Sequence, residues 1–285
     1  MKKIKVLSIL LVLVLALGSF VGCNGTGYPV KIGDAEITET PKTVAVLSEQ
    51  AASAICALGY KSYLVGAPSE FFKTEMEGVT DLGKAMFIDF EAVYKLAPNI
   101  LIVQGELAEE VKDNLKARNI NVVLLETPTK YDDVAPYYES LSKIFLGEEK
   151  YTEAYDPYIG ESERIISETA QSLKGVSKKV ALFVEEGFVA TGDTIAGGAM
   201  KKAGFNNIAE QHTDYLMSFN EIATANPEVI FCPVGYTDAI MQNENYKDIT
   251  AIKNAAVYEV DVEALVYASE GFAATLQSMS KYLLQ

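Results

Sequence analysis

Two stretches of this chain are written to the same plan. Residues 90–103 read "FEAVYKLAPNILIV" and residues 219–232 read "FNEIATANPEVIFC". Phe90, Val93, Tyr94 and Ala97 fall at i, i+3, i+4 and i+7, the spacing of one buried helical face. Pro98 and Pro227 end each helix, because proline has no N–H for the next turn. An apolar run follows at once: Ile100, Leu101 and Ile102 in the first copy, Val229, Ile230 and Phe231 in the second. A run that is apolar at every position, not at alternate ones, suits a strand of a parallel sheet covered by helices on both faces. A chain carrying two such helix–proline–strand units is constrained to two α/β lobes.

The surrounding pattern agrees. "TVAVL", "YLVGA", "ILIV" and "INVVLLE" predict four strands in the first lobe, with helices over "EQAASAICALGY", "DFEAVYKLA" and "ELAEEVKDNLKARN" between them. After Lys178 the alternation restarts. "KVALFV", "VIFC" and the end of "AIKNAAVYEVD" read as strands, and "TIAGGAMKKAG" and "GFAATLQSMSKYLL" as helices. Between the lobes lies the charged, helix-favouring "GEEKYTEAYDPYIGESERIISETAQSLKG". As one helix it would run about 40 Å, with a kink or break expected near Asp156, where Pro157 and Gly160 interrupt it.

The N-terminus predicts export. Lys2, Lys3 and Lys5 precede an apolar stretch that is too short to cross a membrane comfortably, and "FVGC" follows. A small residue before Cys23, directly after the apolar core, marks Cys23 as a lipid-anchored residue on the outer face of a cell membrane. The expected division is a signal peptide at 1–22, a tether at 23–40 with room for a short strand near 31–37, a first lobe at 41–145, a connecting helix at 146–176 and a second lobe at 177–285.

Composition removes several functions. The formal charge is −15 and the arginines are Arg118 and Arg164 alone, so no basic patch exists for nucleic acid. His212 is the one imidazole. Zinc or manganese capture would need several, and a hydrolase would have only His212 as base, with no G-x-S-x-G. The chain is therefore read as a non-enzyme. Cys56 and Cys232 sit in apolar contexts and are expected to be buried free thiols.

In open α/β sheets a ligand sits beyond the carboxyl ends of the strands. This singles out Ser48, whose plainer reading is a cap for the following helix, with Gln104, Phe188 and Tyr236. The 16 tyrosines and 12 phenylalanines, with no tryptophan, allow an aromatic cleft without any metal bond.

"PKTVAVLSEQAASAICALGYKSYLVGAP", "FEAVYKLAPNILIV", "NINVVLLE" and "AIKNAAVYEVD", in this order, resemble the substrate-binding lipoproteins of ABC importers that carry siderophores, heme and cobalamin. "DLGKAMFIDFEAVYKLAP", "GFVATGDTIAGGAMKKAGFNNI" and "DYLMSFNEI" are most similar to the heme-receptor lipoproteins of Gram-positive surface uptake systems. The resemblance implies a cleft between two Rossmann-like lobes, a small iron complex or corrinoid as ligand, and an ABC permease with its ATPase as partners. It implies that Met86 stands where that group places an axial heme-iron ligand; as residue chemistry, Met86 is equally a core filler. The partner histidine of the group is missing: Val234, Gly235 and Tyr236 occupy its place. Tyr236 is then either a phenolate ligand or a stacking wall, and His212, upstream of that place, is the other candidate. Heme is the first ligand expected, with cobalamin or a siderophore–iron chelate as alternatives and a non-transport structural surface lipoprotein as the alternative of another class. Glu91 and Glu221 are implied as acids that dock the two lobe tips to the permease; helix N-terminal acids that favour the dipole are the plainer reading.

Overall fold

The computed structural model describes residues 27–72 and 77–285. Cys23 and the signal lie outside the described residues. The first lobe is built on a five-stranded parallel sheet. Its strands are β3 (Val44–Val46), β4 (Leu64–Ala67), β5 (Thr80–Asp81), β8 (Ile100–Val103) and β9 (Asn121–Leu124), in the order β5-β4-β3-β8-β9. The second lobe carries β10 (Lys179–Glu185), β11 (Phe188–Val189), β12 (Asn206–Asn207), β13 (Val229–Cys232) and β14 (Val257–Glu259). In it β13 pairs in parallel with both β10 and β14, while the short β11 runs antiparallel at the edge. The expected fold class, two parallel-sheet α/β lobes, holds.

The fully apolar strands behave as predicted. On β8, Ile100 and Ile102 join the large cluster that runs from the first lobe through the connecting helix into the second, while Leu101 and Val103 face a separate cluster with Leu82, Val93 and Leu115. On β10, Val180 and Leu182 face the shared cluster, and Ala181 and Phe183 face the second lobe's outer one. Each sheet is covered on both sides.

The repeated phrase folds the same way twice. Asp89 caps the helix Phe90–Leu96 by accepting from the Ala92 N–H at 3.1 Å, and Ser218 caps the helix Phe219–Ala225 by accepting from Glu221 N–H at 3.3 Å. Each helix ends on a left-handed residue directly before its proline: Ala97 at φ 45° and Asn226 at φ 52°.

The connecting segment is helical across Pro157. Thr152–Tyr155 and Glu161–Ser172 are α-helical, and Asp156–Gly160 forms one π-helical turn between them. The wider turn takes up the missing N–H of Pro157, so the expected break becomes a local loosening. Tyr158 of this turn and Tyr138 of the helix Val134–Leu146 stack at 4.6 Å, and both donate hydrogen bonds to the Ala268 carbonyl of the second lobe.

Two regions depart from expectation. Within the segment expected as a tether with room for a short strand, β1 (Val30–Ile32) and β2 (Ala35–Ile37) form an antiparallel hairpin whose Val30, Ile32 and Ile37 are buried in the main cluster. Tyr28 Oη donates to Ile144 O at 2.8 Å, and Asn121 Nδ2 to Glu36 O at 2.9 Å, fixing this hairpin to the first lobe. The second unforeseen element is a hairpin of β6 (Gly83–Lys84) and β7 (Phe87–Ile88), with Ala85 and Met86 as its two-residue tip.

Candidate functional site

The carboxyl ends of the first lobe's strands open on a cavity of about 570 Å³. Leu47, Ser48, Glu49 and Gln50 follow β3, Glu70 follows β4, Gln104 and Leu107 follow β8, and Thr127 follows β9. Ser48 is 8% exposed and accepts from the Ala51 N–H at 3.1 Å, so it caps the helix Glu49–Ala57 as well as lining the cavity. The β6–β7 hairpin closes one side. Its tip is fixed by Glu70, whose two carboxylate oxygens accept from the Ala85 N–H at 3.0 and 3.3 Å. This holds Met86 out over the cavity with 84% of its surface exposed.

A second cavity of about 580 Å³ lies against the other lobe. It is lined by Val184 of β10, Pro233 and Val234 after β13, and Val260, Asp261, Glu263 and Val266 at and after the end of β14. Glu49 and Tyr267 border both cavities, and Tyr267 Oη donates to Glu49 Oε2 at 3.2 Å. The cleft is therefore two adjoining spaces with this interlobe hydrogen bond between them. Burial pushes the Tyr267 phenol up to about 12, and the charge of Glu49, the hydrogen bond to it and the charge of Glu263 push the same way.

Among the described residues, no lysine, arginine or histidine lines either space. The arginines are engaged elsewhere: Arg118 lies 4.4 Å over the Tyr94 ring, and Arg164 pairs with Glu161 and Glu168 on the connecting helix.

Of the residues singled out from sequence, Met86, Ser48 and Gln104 meet in the first cavity. Tyr236, Phe188 and His212 are not among the residues lining either space. After β13 the chain turns at Gly235, φ 88°, whose N–H donates to Glu259 Oε1 at 2.9 Å. That turn delivers Tyr236 to the start of the helix Thr237–Met241, where it packs on the outer-face cluster with Ile240 and Cys232. Phe188 sits on the edge strand β11. His212 follows a turn in which its N–H donates to Ala209 O at 3.0 Å. The aromatic residue that the second lobe does place in the cleft is Tyr267, at the end of the helix Val262–Tyr267. Strand-end reading misses it because it lies a full helix beyond β14. Glu70 was also missed, although it lies directly after "VGAPS", just beyond a strand end where the same reading could have found it. Cys232 is buried as expected, but Cys56 is only partly so.

The two docking candidates are not equivalent. Glu91 is exposed and occupies the second position of its helix. Glu221 occupies the third position of the corresponding helix and closes a capping box, accepting from the Ser218 N–H at 2.8 Å and the Ser218 hydroxyl at 2.6 Å. One position is about 100° around a helix, so the counterpart of Glu91 is the exposed Asn220. The hydrogen bonds from Ser218 hold the Glu221 carboxyl below its ordinary value, with the charge of His212 a smaller influence in the same direction.

Comparison with known proteins places this architecture. The family model described as "Periplasmic binding protein" matches residues 44–264, both lobes and the helix between them. The chain belongs to the periplasmic binding protein family. It falls in the ABC-importer class for siderophores, heme and cobalamin, a class of binding proteins and not of enzymes. It is 22% identical to the Fe(3+)-citrate-binding protein of Bacillus subtilis over 90% of each chain. It is also 22% identical to the petrobactin-binding protein of the same organism, over 90% of this chain and 83% of that one. The periplasmic heme-binding protein of Vibrio cholerae shares the fold with a TM-score of 0.69 at 17% identity, covering 85% of this chain and 99% of that one. Among the described residues, no helix of the protein is long and apolar enough to cross a membrane, and no cluster of three or more His, Cys, Asp or Glu is arranged to hold a bare metal ion.

Proposed function

We propose that this protein is the ligand-capturing lipoprotein of an ABC importer, anchored through Cys23, which binds an iron complex in the interlobe cleft and hands it to a permease driven by its ATPase. The observation that carries the reading is the pair of cavities at the carboxyl ends of two parallel sheets, with the Tyr267–Glu49 hydrogen bond between them. Their size suits a small-molecule ligand, for which sites of about 300–1,000 Å³ are usual. Relatives that bind ferric citrate and petrobactin support an iron chelate as cargo.

Heme is the second reading, and Met86 favours it: an exposed thioether held at a hairpin tip over the cavity is placed to face a tetrapyrrole. The side chain that would meet the ring from the other lobe is Tyr267, not Tyr236 or His212. A phenol held protonated by Glu49 is a weak partner for ferric iron, and a thioether prefers ferrous iron. On this reading heme binds more tightly under reduction, and Met86→Ala shifts the visible spectrum of the reduced complex.

Docking follows the exposed acid. Glu91 on the first lobe's tip, with Asn220 at the corresponding place on the second, presents the surface for the permease, and Glu221 serves the helix.

The test is titration of the signal-free protein with a ferric trihydroxamate, ferric citrate, hemin and cyanocobalamin, read by tyrosine emission and visible absorption. Saturable binding of an iron complex is expected. Absence of binding by all four overturns the transport reading.

A further inference from the structure

Thr127 lines the first cavity, and the chain reaches Tyr131 four residues later. Fully extended, four residues span at most about 14 Å. Gln50, another residue of the cavity wall, holds this strap by donating from Nε2 to Pro128 O at 3.4 Å. Tyr131 opens the short 3₁₀ turn Tyr131–Asp133 and is seated among three elements outside the first lobe. Its Cβ and backbone N face Gly198 of the helix Ile195–Lys202. Its ring lies 6.4 Å from that of Phe272, at the start of the closing helix Phe272–Leu283. Its hydroxyl donates to Glu163 Oε1 of the connecting helix at 2.6 Å. Burial raises the Tyr131 phenol, and the hydrogen bond to Glu163 and the Glu163 charge push the same way, so the phenol stays the donor. Gly198 is what lets the lobes come this close. A Cβ there would stand 2.6 Å from the Tyr131 Cβ, well inside the roughly 3.5–4.0 Å at which carbon atoms pack. The adjoining Gly197 answers to its own lobe, since a Cβ there would stand 1.9 Å from Thr191 O. Glycine is a poor helix former, so two in a row inside one helix call for reasons of this kind. Among the described glycines of the second lobe, Gly198 alone would drive a side chain into the first. A space of about 160 Å³ lies beside the Tyr131 ring, bordered by Ile159, Glu163 and Lys202. The seat is therefore tight against the helix and open to one side, which leaves the ring room to roll.

We propose that Tyr131 and Gly198 form the pivot that sets the separation of the two lobes, and that both are positioning residues for ligand capture. It rests on the cleft being the ligand site, as argued above. Neither residue lines either cavity, so both act through others. A contact with no side chain on one partner fixes a distance that two long, flexible side chains would let vary. Close-packed interiors transmit such a constraint. A shift at Tyr131 passes along the strap to Thr127 and, through Pro128, to Gln50, so the wall of the first cavity moves with the pivot. The Glu163 bond ties the same residue to the connecting helix, which makes one side chain the meeting point of both lobes and the segment between them.

The experiment places one spin label on each lobe tip, at Glu91→Cys and Asn220→Cys, in signal-free protein lacking Cys23 and Cys56, and measures the distance between them without ligand. Kd for a ferric trihydroxamate, ferric citrate and hemin is measured on the unlabelled variants. Gly198→Ala is expected to shift the mean distance and to weaken binding about tenfold, because the ligand must then restore the separation. Gly160→Ala, in the connecting segment, is the control: a Cβ there meets nothing nearer than the Asp156 Cβ at 3.9 Å, and distance and affinity are expected to stay as in wild type. Tyr131→Phe keeps the seat and loses the tie to Glu163, so it is expected to broaden the distances and weaken binding about threefold. Wild-type distance and affinity in Gly198→Ala overturn the pivot while leaving the importer reading intact, and a shifted distance with unchanged Kd overturns the positioning role. If Gly198→Ala does not fold, Tyr131→Phe decides: an unchanged distance distribution and Kd overturn the proposal. If no iron complex binds even the wild type, the functional reading fails, and the ligand-free distances still judge the pivot by themselves.

Discussion

Tyr267 and Glu49 lie 218 positions apart in the chain and 3.2 Å apart in space, phenol to carboxylate, with a cavity on either side. The bond joins the N-terminal turn of a first-lobe helix to the C-terminal residue of a second-lobe helix. It is the contact a ligand spanning both spaces must share or replace. Its electrostatic mark is measurable. The Tyr267 phenol titrates near 12 in the folded protein against an ordinary 10.0. Raised in the folded state, this group contributes stability that is full below pH 10.0 and is lost as pH rises through about 12. In ultraviolet difference titrations, Tyr267→Phe should remove one late-ionising phenol, and Glu49→Gln should move that phenol to lower pH. An unchanged late phase in Glu49→Gln would contradict the assignment.

The hinge has a shared acceptor. Tyr138 Oη donates to Ala268 O at 2.7 Å, and Tyr158 Oη bonds the same carbonyl and also Ser269 O at 2.6 Å. Ala268 is fully buried, so its carbonyl has no water to turn to. Tyr138→Phe or Tyr158→Phe alone leaves one donor and is expected to cost about 1 kcal/mol. The double variant leaves the carbonyl unpaired and should cost more than the sum of the two, by about 1 kcal/mol. Urea denaturation of the four proteins gives the coupling directly, and strict additivity would contradict the shared-acceptor account.

Ala97 closes its helix in the left-handed region, at φ 45°, where its Cβ is strained. Ala97→Gly relieves that strain at a position that is exposed, and the gain outweighs the added freedom of the unfolded chain. A net stabilisation of about 0.5–1 kcal/mol is expected. A loss of stability in the same denaturation assay would show the strain to be absent.

Glu91 and Glu221 should separate cleanly. Glu91→Ala is expected to reduce uptake in cells while leaving ligand affinity and thermal stability unchanged. Glu221→Ala is expected to lower stability measurably through the lost capping box. Because Ser218 holds the Glu221 carboxyl below its ordinary 4.5, its contribution is present above that pH and lost as pH falls through the lower folded value. The stability gap between wild type and Glu221→Ala should therefore close in acid. A constant gap down to pH 2 would remove the carboxylate from the explanation.

The two helix–proline–strand phrases were legible because periodicity, proline and a fully apolar strand all carry the same local instruction. Ser48 and Gln104 were legible for a related reason: a strand end in an open parallel sheet fixes where the next residues point. What escaped depends on contacts between distant segments. The hairpin that lifts Met86 over the cleft is held by Glu70 on another loop, and its four strand residues are too few to show alternation. The β1–β2 hairpin reads as a polar tether until Val30, Ile32 and Ile37 find a lobe to bury against. Tyr236 was drawn to the cleft by its place after β13, but the turn at Gly235 and the Glu259 carboxylate direct the chain away. Tyr267 reaches the cleft only through the packing of a helix from one lobe beside a helix from the other.

Carboxyl footprinting tests the central claim most directly. Labelling of the signal-free protein with a carbodiimide and a small amine, followed by peptide mapping, reports each acid separately with and without a saturating ferric chelate. The account predicts that Glu49 and Glu263 become protected together when the ligand binds, while Glu91 on the outer tip and Glu106 beside the groove of about 720 Å³ along β9 label as before. Unchanged labelling of Glu49 and Glu263, or protection confined to Glu106 and its neighbours, would place the ligand outside the cleft and contradict the account.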